Sequence, residues 1–207
     1  MIQTITTDIP DISEEWYRDV VDVADAAPAP VQWFAVHFTE AVILLLGLLV
    51  VAVAVPRLRR PDPWGRALAL VAPATVVLAY GCSELLKSLI DEERPCRGAV
   101  TILAAPCPPT GDWSFPSNHA TIAGTLATAV LLLSPRWGLL AAPLALLAAF
   151  SRVFVGVHYP HDVLAGLLLG LAVTLLVGLP AARFLAEMLR RHSGPATRKV
   201  DQGQRVG

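Results

Sequence analysis

The chain has 207 residues, of which 55% are hydrophobic and only 16% charged, with a formal net charge of −1; an ordinary soluble domain carries about 25% charged residues. A mean hydropathy of +0.57 excludes a disordered chain, and three cysteines in this length exclude a disulfide scaffold. With no positive net charge and no basic stripe, a nucleic-acid-binding surface is excluded as well.

Residues 1–32 are acidic and lack the apolar stretch of a cleavable signal peptide. Asp11, Glu14, Glu15, Asp19 and Asp22 alternate with Ile12, Trp16, Tyr17, Val20 and Val23. The pattern fits a short amphipathic helix lying on a membrane surface and ended by Pro28 and Pro30, or a flexible acidic segment.

Five apolar stretches follow, at 33–55, 67–86, 117–133, 138–157 and 163–179. A spanning helix needs about 20 mostly apolar residues. The run 41–55 contains no polar residue, unlike a helix on the surface of a soluble protein. The reading is an all-α integral membrane bundle of five transmembrane helices, a single domain over 33–182, with a basic tail at 183–207. Arg57, Arg59, Arg60, Arg66, Arg136, Arg183, Arg190, Arg191, Arg198, Lys199 and Arg205 all fall on one side of such a bundle. The positive-inside rule then puts the amino terminus outside and the carboxy terminus in the cytoplasm. Trp33 and Trp113 would mark the outer interface, Trp64 and Trp137 the inner one.

The remaining basic residues collect at the opposite, outer end. Lys87 closes the second stretch, and Arg94 and Pro95 follow. Seven residues is close to two helical turns, so Lys87 and Arg94 share a face if the helix runs on to Pro95. The third stretch opens with Pro116, Ser117, Asn118 and His119, a helix start whose free N–H groups suit an anion. Arg152 is the one charge in the fourth stretch, and His158 and Asp162 stand four residues apart at the start of the fifth. That spacing lets the carboxylate fix the imidazole tautomer and leave the other nitrogen free as a base or nucleophile. Three cations, two histidines, a helix amino terminus and a carboxylate on one face suit a phosphate ester or anhydride.

The ordered strings K-x6-R-P (87–95), P-S-N-H (116–119) and S-R-x5-H-x3-D (151–162) resemble the three signature motifs of the type 2 phosphatidic acid phosphatase superfamily. That superfamily shares its site with vanadium haloperoxidases and bacterial acid phosphatases. The resemblance implies that His158 attacks phosphorus to form a phosphohistidine, that Asp162 orients His158, and that His119 protonates the leaving group and then activates water. Lys87, Arg94, Arg152, Ser117 and the backbone at Asn118 would hold the phosphate oxygens. It implies no metal and no cofactor, so the pair His158 and His161 is not read as a metal site. Asn118 departs from the family's usual glycine.

The implied activity is a multi-pass cell-membrane phosphatase with its site facing outside. Its substrate would be a lipid phosphate or pyrophosphate, undecaprenyl-type pyrophosphate first, with phosphatidic acid, phosphatidylglycerol phosphate or a lipid phosphotransfer as alternatives. Membrane lipids are the other expected partners, and the oligomeric state is left open. A transporter would show repeated halves or broken helices at mid-membrane, and neither is visible. Cys96 and Cys107 flank part of the loop before the third stretch and form a disulfide if that loop faces an oxidising compartment, and free thiols otherwise. Cys82 reads as a core residue, Glu84 as an ion-pair partner of Lys87, and Glu40 as a residue that lines the site entrance or reaches water.

Overall fold

The structure is a computed structural model, and residues 11–98 and 106–192 are described. Among them every regular element is helical: α1 (Asp11–Asp25), α2 (Ala29–Arg59), α3 (Pro63–Ile90), α4 (Asn118–Leu133), α5 (Pro135–Phe154), α6 (Pro160–Val173) and α7 (Leu179–His192). A single 3-10 turn spans Pro95–Arg97. One wide turn at Thr174–Gly178 joins α6 to α7, so the last helix continues past 179, where the sequence pattern places its end. Residues 193–207 of the expected tail, with Arg198, Lys199 and Arg205, lie outside the described residues.

Helices α2, α3, α5 and the continuous Pro160–His192 rod are each long and apolar enough to cross a membrane. Helix α4, the third expected span, has only 16 residues. At 1.5 Å per residue that is about 24 Å, short of a hydrocarbon core of about 30 Å. It sits at the centre, packed against α2, α3, α5 and α6. Ala123, Leu126, Ala127 and Val130 of α4 form a core with Val42 and Leu46 of α2 and Ala141, Ala145 and Ala148 of α5. The outer faces of the long helices carry exposed Leu44, Leu48, Val77, Leu139 and Leu176, an apolar belt that water does not tolerate at this extent.

Close backbone approach seats α6 on α4. A Cβ at Gly166 would stand 2.5 Å from the Ser117 carbonyl, and one at Gly170 would stand 2.3 Å from the Thr121 carbonyl. Small residues at such contacts let helices pack through backbone atoms. The Ser117 N–H also donates to the Asp162 carbonyl at 3.1 Å, which ties the start of α4 to the start of α6.

Helix α3 starts on Asp62, whose side chain accepts from the N–H groups of Trp64 and Gly65, with Pro63 in the first turn. It ends at Asp91, which takes the left-handed conformation with φ 52°. The helix therefore does not reach Pro95, and Lys87 and Arg94 do not share a helical face. Left-handed backbone at Asp91 turns the chain out of the helix, and Arg94 follows in extended backbone.

Helix α1 packs on α5 and α6. Tyr17 is buried, donates to the Gly156 carbonyl at 3.0 Å and meets the Tyr159 ring at 5.2 Å. Within this acidic segment Asp11–Asp25 is helical.

Candidate active site

One end of the bundle gathers the end of α3, the loops on either side of 99–105, the start of α4, the end of α5 and the start of α6. Thr39 near the start of α2 and Ser151 near the end of α5 meet there at 2.5 Å. Trp64 and Trp137 open α3 and α5 at the opposite end.

His158 stands in the turn between α5 and α6 and is fully buried. Its Nε2 lies 2.9 Å from Arg94 Nη1 and its Nδ1 lies 3.2 Å from Asp162 Oδ2. A guanidinium only donates, so Nε2 is the acceptor and Nδ1 carries the hydrogen toward Asp162. Burial pushes the imidazole down to about 3, against the hydrogen bond that Nδ1 donates to Asp162, which would raise it, so the ring is neutral at physiological pH. Asp162 Oδ2 also accepts from the Ser114 hydroxyl at 2.5 Å and the Tyr159 N–H at 2.8 Å. A carboxylate with three donors on one oxygen is held in place.

Arg94 is pinned on several sides. Nη1 also donates to the Val157 carbonyl at 3.0 Å, Nε donates to the Asp112 carbonyl at 2.8 Å, and Nη2 donates to Asp112 Oδ1 at 2.9 Å. Lys87 Nζ donates to the same Oδ1 at 2.8 Å. Burial alone would raise the Asp112 carboxyl, but the hydrogen bonds from Lys87 and Arg94 outweigh it and hold the group at about 2. Arg152 makes no ion pair among the described residues, and its Nε is buried without a hydrogen-bond partner.

At the start of α4, Ser117 Oγ accepts from the Ala120 N–H. Asn118 clamps α4 to α3: its amide nitrogen donates to Glu84 Oε1 at 2.5 Å and its oxygen accepts from Ser83 at 2.7 Å. Glu84 lies 3.8 Å from Lys87, so it serves both neighbours. His119 Nε2 lies 2.8 Å from Glu40 Oε1 of α2.

A second histidine cluster sits behind Asp162. His161 Nε2 lies 3.1 Å from Glu92 and 3.3 Å from Asp162 Oδ1, and its Nδ1 lies 2.7 Å from Ser13 of α1. Burial raises the Glu92 carboxyl above the usual range, opposed by its hydrogen bond with His161. Glu92, His161 and Asp162 are the one group among the described residues with three ligand atoms close enough to hold a metal. His158 takes no part in it, so no His158–His161 pair forms. Cys96 and Cys107 are joined as a disulfide with Cα atoms 5.7 Å apart, and Cys82 is free.

The sequence therefore leads to Lys87, Arg94, His158 and Asp162, which form one hydrogen-bonded network, and to Ser117, Asn118, His119 and Arg152 on the adjoining helix ends. It does not lead to Asp112, Ser114 or Glu92. Their one signal is position, inside or just before the motifs that carry the expected site residues.

The family model of the PAP2 superfamily matches residues 67–180, more than half of the chain and all three motifs. An undecaprenyl-diphosphatase of Sulfolobus acidocaldarius is 39% identical over 113 residues, 54% of each protein, so the chain spans about half of that relative's length. A decaprenylphosphoryl-5-phosphoribose phosphatase of Mycobacterium tuberculosis is 39% identical over 146 residues, 68% of this chain and 73% of that protein. The crystal structure of Aquifex aeolicus LpxE superimposes with a TM-score of 0.57 at 25% identity, over 82% of this chain and 95% of that one.

Proposed function

The chain belongs to the PAP2 superfamily, and from that premise we propose that it is an integral membrane phosphatase that hydrolyses a lipid diphosphate, of the polyprenyl class, through a phosphohistidine on His158. The observation that carries this reading is the neutral His158 ring, its Nδ1 hydrogen fixed on Asp162 and its Nε2 lone pair facing the Arg94 guanidinium. The names of the relatives from Sulfolobus acidocaldarius and Mycobacterium tuberculosis support a polyprenyl-linked substrate.

When the substrate binds, Arg94 Nη1 turns from Nε2 to a phosphate oxygen and frees the lone pair. Nε2 then attacks the terminal phosphorus and the phosphoanhydride bond breaks. His119, oriented by Glu40, protonates the departing oxygen of the polyprenyl monophosphate. The phosphorylated ring is cationic, and Asp162 stabilises it across Nδ1. In the second step His119 takes a proton from water, the hydroxide attacks phosphorus, the N–P bond breaks, and inorganic phosphate leaves. Lys87, Arg94 and Arg152 carry the charge on the non-bridging oxygens throughout.

The same reading makes α4 the fifth membrane-crossing element, screened from lipid by its neighbours. It places the amino terminus and the site outside and the carboxy terminus in the cytoplasm, with 1–32 as an outer surface segment, 33–182 as the phosphatase domain and 183–207 as a basic tail. The apolar belt and the arginines at the end of the bundle away from the site support it.

The test is phosphate release by purified protein from polyprenyl diphosphate, phosphatidic acid and phosphatidylglycerol phosphate. Polyprenyl diphosphate is expected to give the highest kcat/KM, orthovanadate to inhibit, and EDTA to leave the rate unchanged. His158→Ala is expected to abolish release while the protein stays monodisperse in detergent; turnover by that variant overturns the nucleophile.

A further inference from the structure

Lys87 and Arg94 are the two most buried cations of the site, with side chains 5% and 3% exposed. Both give a hydrogen bond to one oxygen of Asp112. The same guanidinium touches the nucleophilic nitrogen of His158 through its other arm. An acceptor held by Lys87 and by Arg94 Nη2, beside the nucleophile, stands where a non-bridging oxygen of the attacked phosphate has to stand. Given the phosphatase reading above, we infer that the Asp112 carboxylate is a displaceable stand-in for substrate phosphate: it occupies the oxyanion position on Lys87 and Arg94, and an incoming phosphate binds by exchanging with it.

The environment of Asp112 is that of a group able to leave. Its side chain is 44% exposed, whereas Asp162, the carboxylate that must stay, is fully buried. Its second oxygen accepts no protein donor among the described residues. Its backbone is anchored separately, because its carbonyl accepts from Arg94 Nε and the next-but-one N–H, that of Ser114, donates to the Glu92 carbonyl at 2.8 Å. Rotation about the Asp112 side chain can therefore remove the carboxylate and leave the loop in place. Gly111 before it has φ 89° with open space around its Cα, which sets the turn that brings the carboxylate inward.

Charge supports the exchange. Lys87 and Arg94 are neutralised in part by Asp112, while the buried Nε of Arg152 has no partner. A dianion that takes the Asp112 position keeps both hydrogen-bonded cations and gains Arg152. A dianionic phosphate can thus displace a monoanionic carboxylate, and the carboxylate, tethered beside the cations by its anchored backbone, competes with bound phosphate for the same position. Asp112 accordingly lowers the affinity of the site for every phosphate species and speeds product departure.

The experiment compares orthovanadate and inorganic phosphate binding to wild-type protein and to Asp112→Asn, by inhibition constants and by calorimetry in detergent. Removal of the competing charge is expected to lower both constants about tenfold, equivalent to about 1.4 kcal/mol of binding. Constants that rise or stay the same overturn the proposal and make Asp112 a fixed support for the two cations. If Asp112→Asn does not purify as a folded protein, Asp112→Ser, which also removes the charge, is measured instead with the same two outcomes. Failure of wild-type protein to bind either anion or to release phosphate from lipid phosphates overturns the phosphatase reading itself, whereas vanadate-sensitive wild-type protein with an unchanged variant overturns only the exchange.

Discussion

A histidine can attack phosphorus only if one nitrogen keeps its lone pair, and burial of His158 secures this by making the imidazolium costly. The same burial couples His158, the proposed nucleophile, to stability. In an unfolded chain the ring takes up a proton near its ordinary 6.5, and in the fold only at about 3. Between those values the unfolded chain holds the extra proton, so stability falls as pH falls from 6.5 toward 3. The melting temperature in detergent is expected to decline over that window, and less steeply in His158→Asn, whose amide nitrogen can replace Nδ1 against Asp162. An equal decline in both proteins would mean that other groups carry the acid sensitivity. The residues that make this site were unequally legible. His158, Asp162 and Arg94 announce themselves through spacing and through charge in apolar surroundings. Asp112 and Ser114 are single polar residues in a turn, with no period to read, and only the folded loop shows that one lies on the cations and the other on Asp162. Glu40 was visible as a charge at a helix end, but its contact with His119, 79 positions away, belongs to tertiary structure.

At the scale of elements, apolar runs locate the helices because every backbone polar group in lipid has to be satisfied within a helix. Their ends are set by local chemistry that the runs do not reveal. Helix α3 stops at Asp91 through left-handed backbone, so the seven-residue spacing from Lys87 to Arg94 does not measure helical turns. The contact between α4 and α6 was equally hidden, since Gly166 and Gly170 look like any glycines in an apolar stretch. They are where the two site-bearing helices touch, Gly166 one turn beyond Asp162 and against Ser117, Gly170 two turns beyond it and against Thr121. Gly166→Ala would place a methyl group 2.5 Å from the Ser117 carbonyl, and overpacking of this kind costs about 1–3 kcal/mol. The variant is expected to melt lower and also to lose kcat, because the Ser117 N–H to Asp162 bond lies at the same contact. Gly81→Ala, with open space around its Cα, is the control expected to change neither. Full activity in a destabilised Gly166→Ala protein would separate the packing from the site geometry.

At the scale of the molecule, the proposed function asks one site to serve both a polar phosphate group and a lipid tail. Four long helices present apolar surface outward, while the short α4 is enclosed by them and brings Ser117, Asn118 and His119 to the site. Because α4 is short and screened, its amino terminus need not lie at the level where its neighbours emerge from lipid. The site is thus formed by polar ends that the long helices raise around it. Helix α1 closes the arrangement from the side, with Tyr17 bracing the Gly156 carbonyl just ahead of His158 and Ser13 bonded to His161. The basic residues at the other end, Arg57, Arg59, Arg60 and Arg136 among them, carry the proposal that this end meets the cytoplasm. This orientation can be measured with single cysteines in a Cys82→Ala background. Glu93, exposed beside the site, and Glu187, exposed on α7 at the far end, are each replaced by Cys. A membrane-impermeant maleimide applied to intact cells is expected to label Glu93→Cys and to reach Glu187→Cys only after lysis. The reverse pattern would put the site in the cytoplasm, where it could not meet a lipid diphosphate of the outer leaflet.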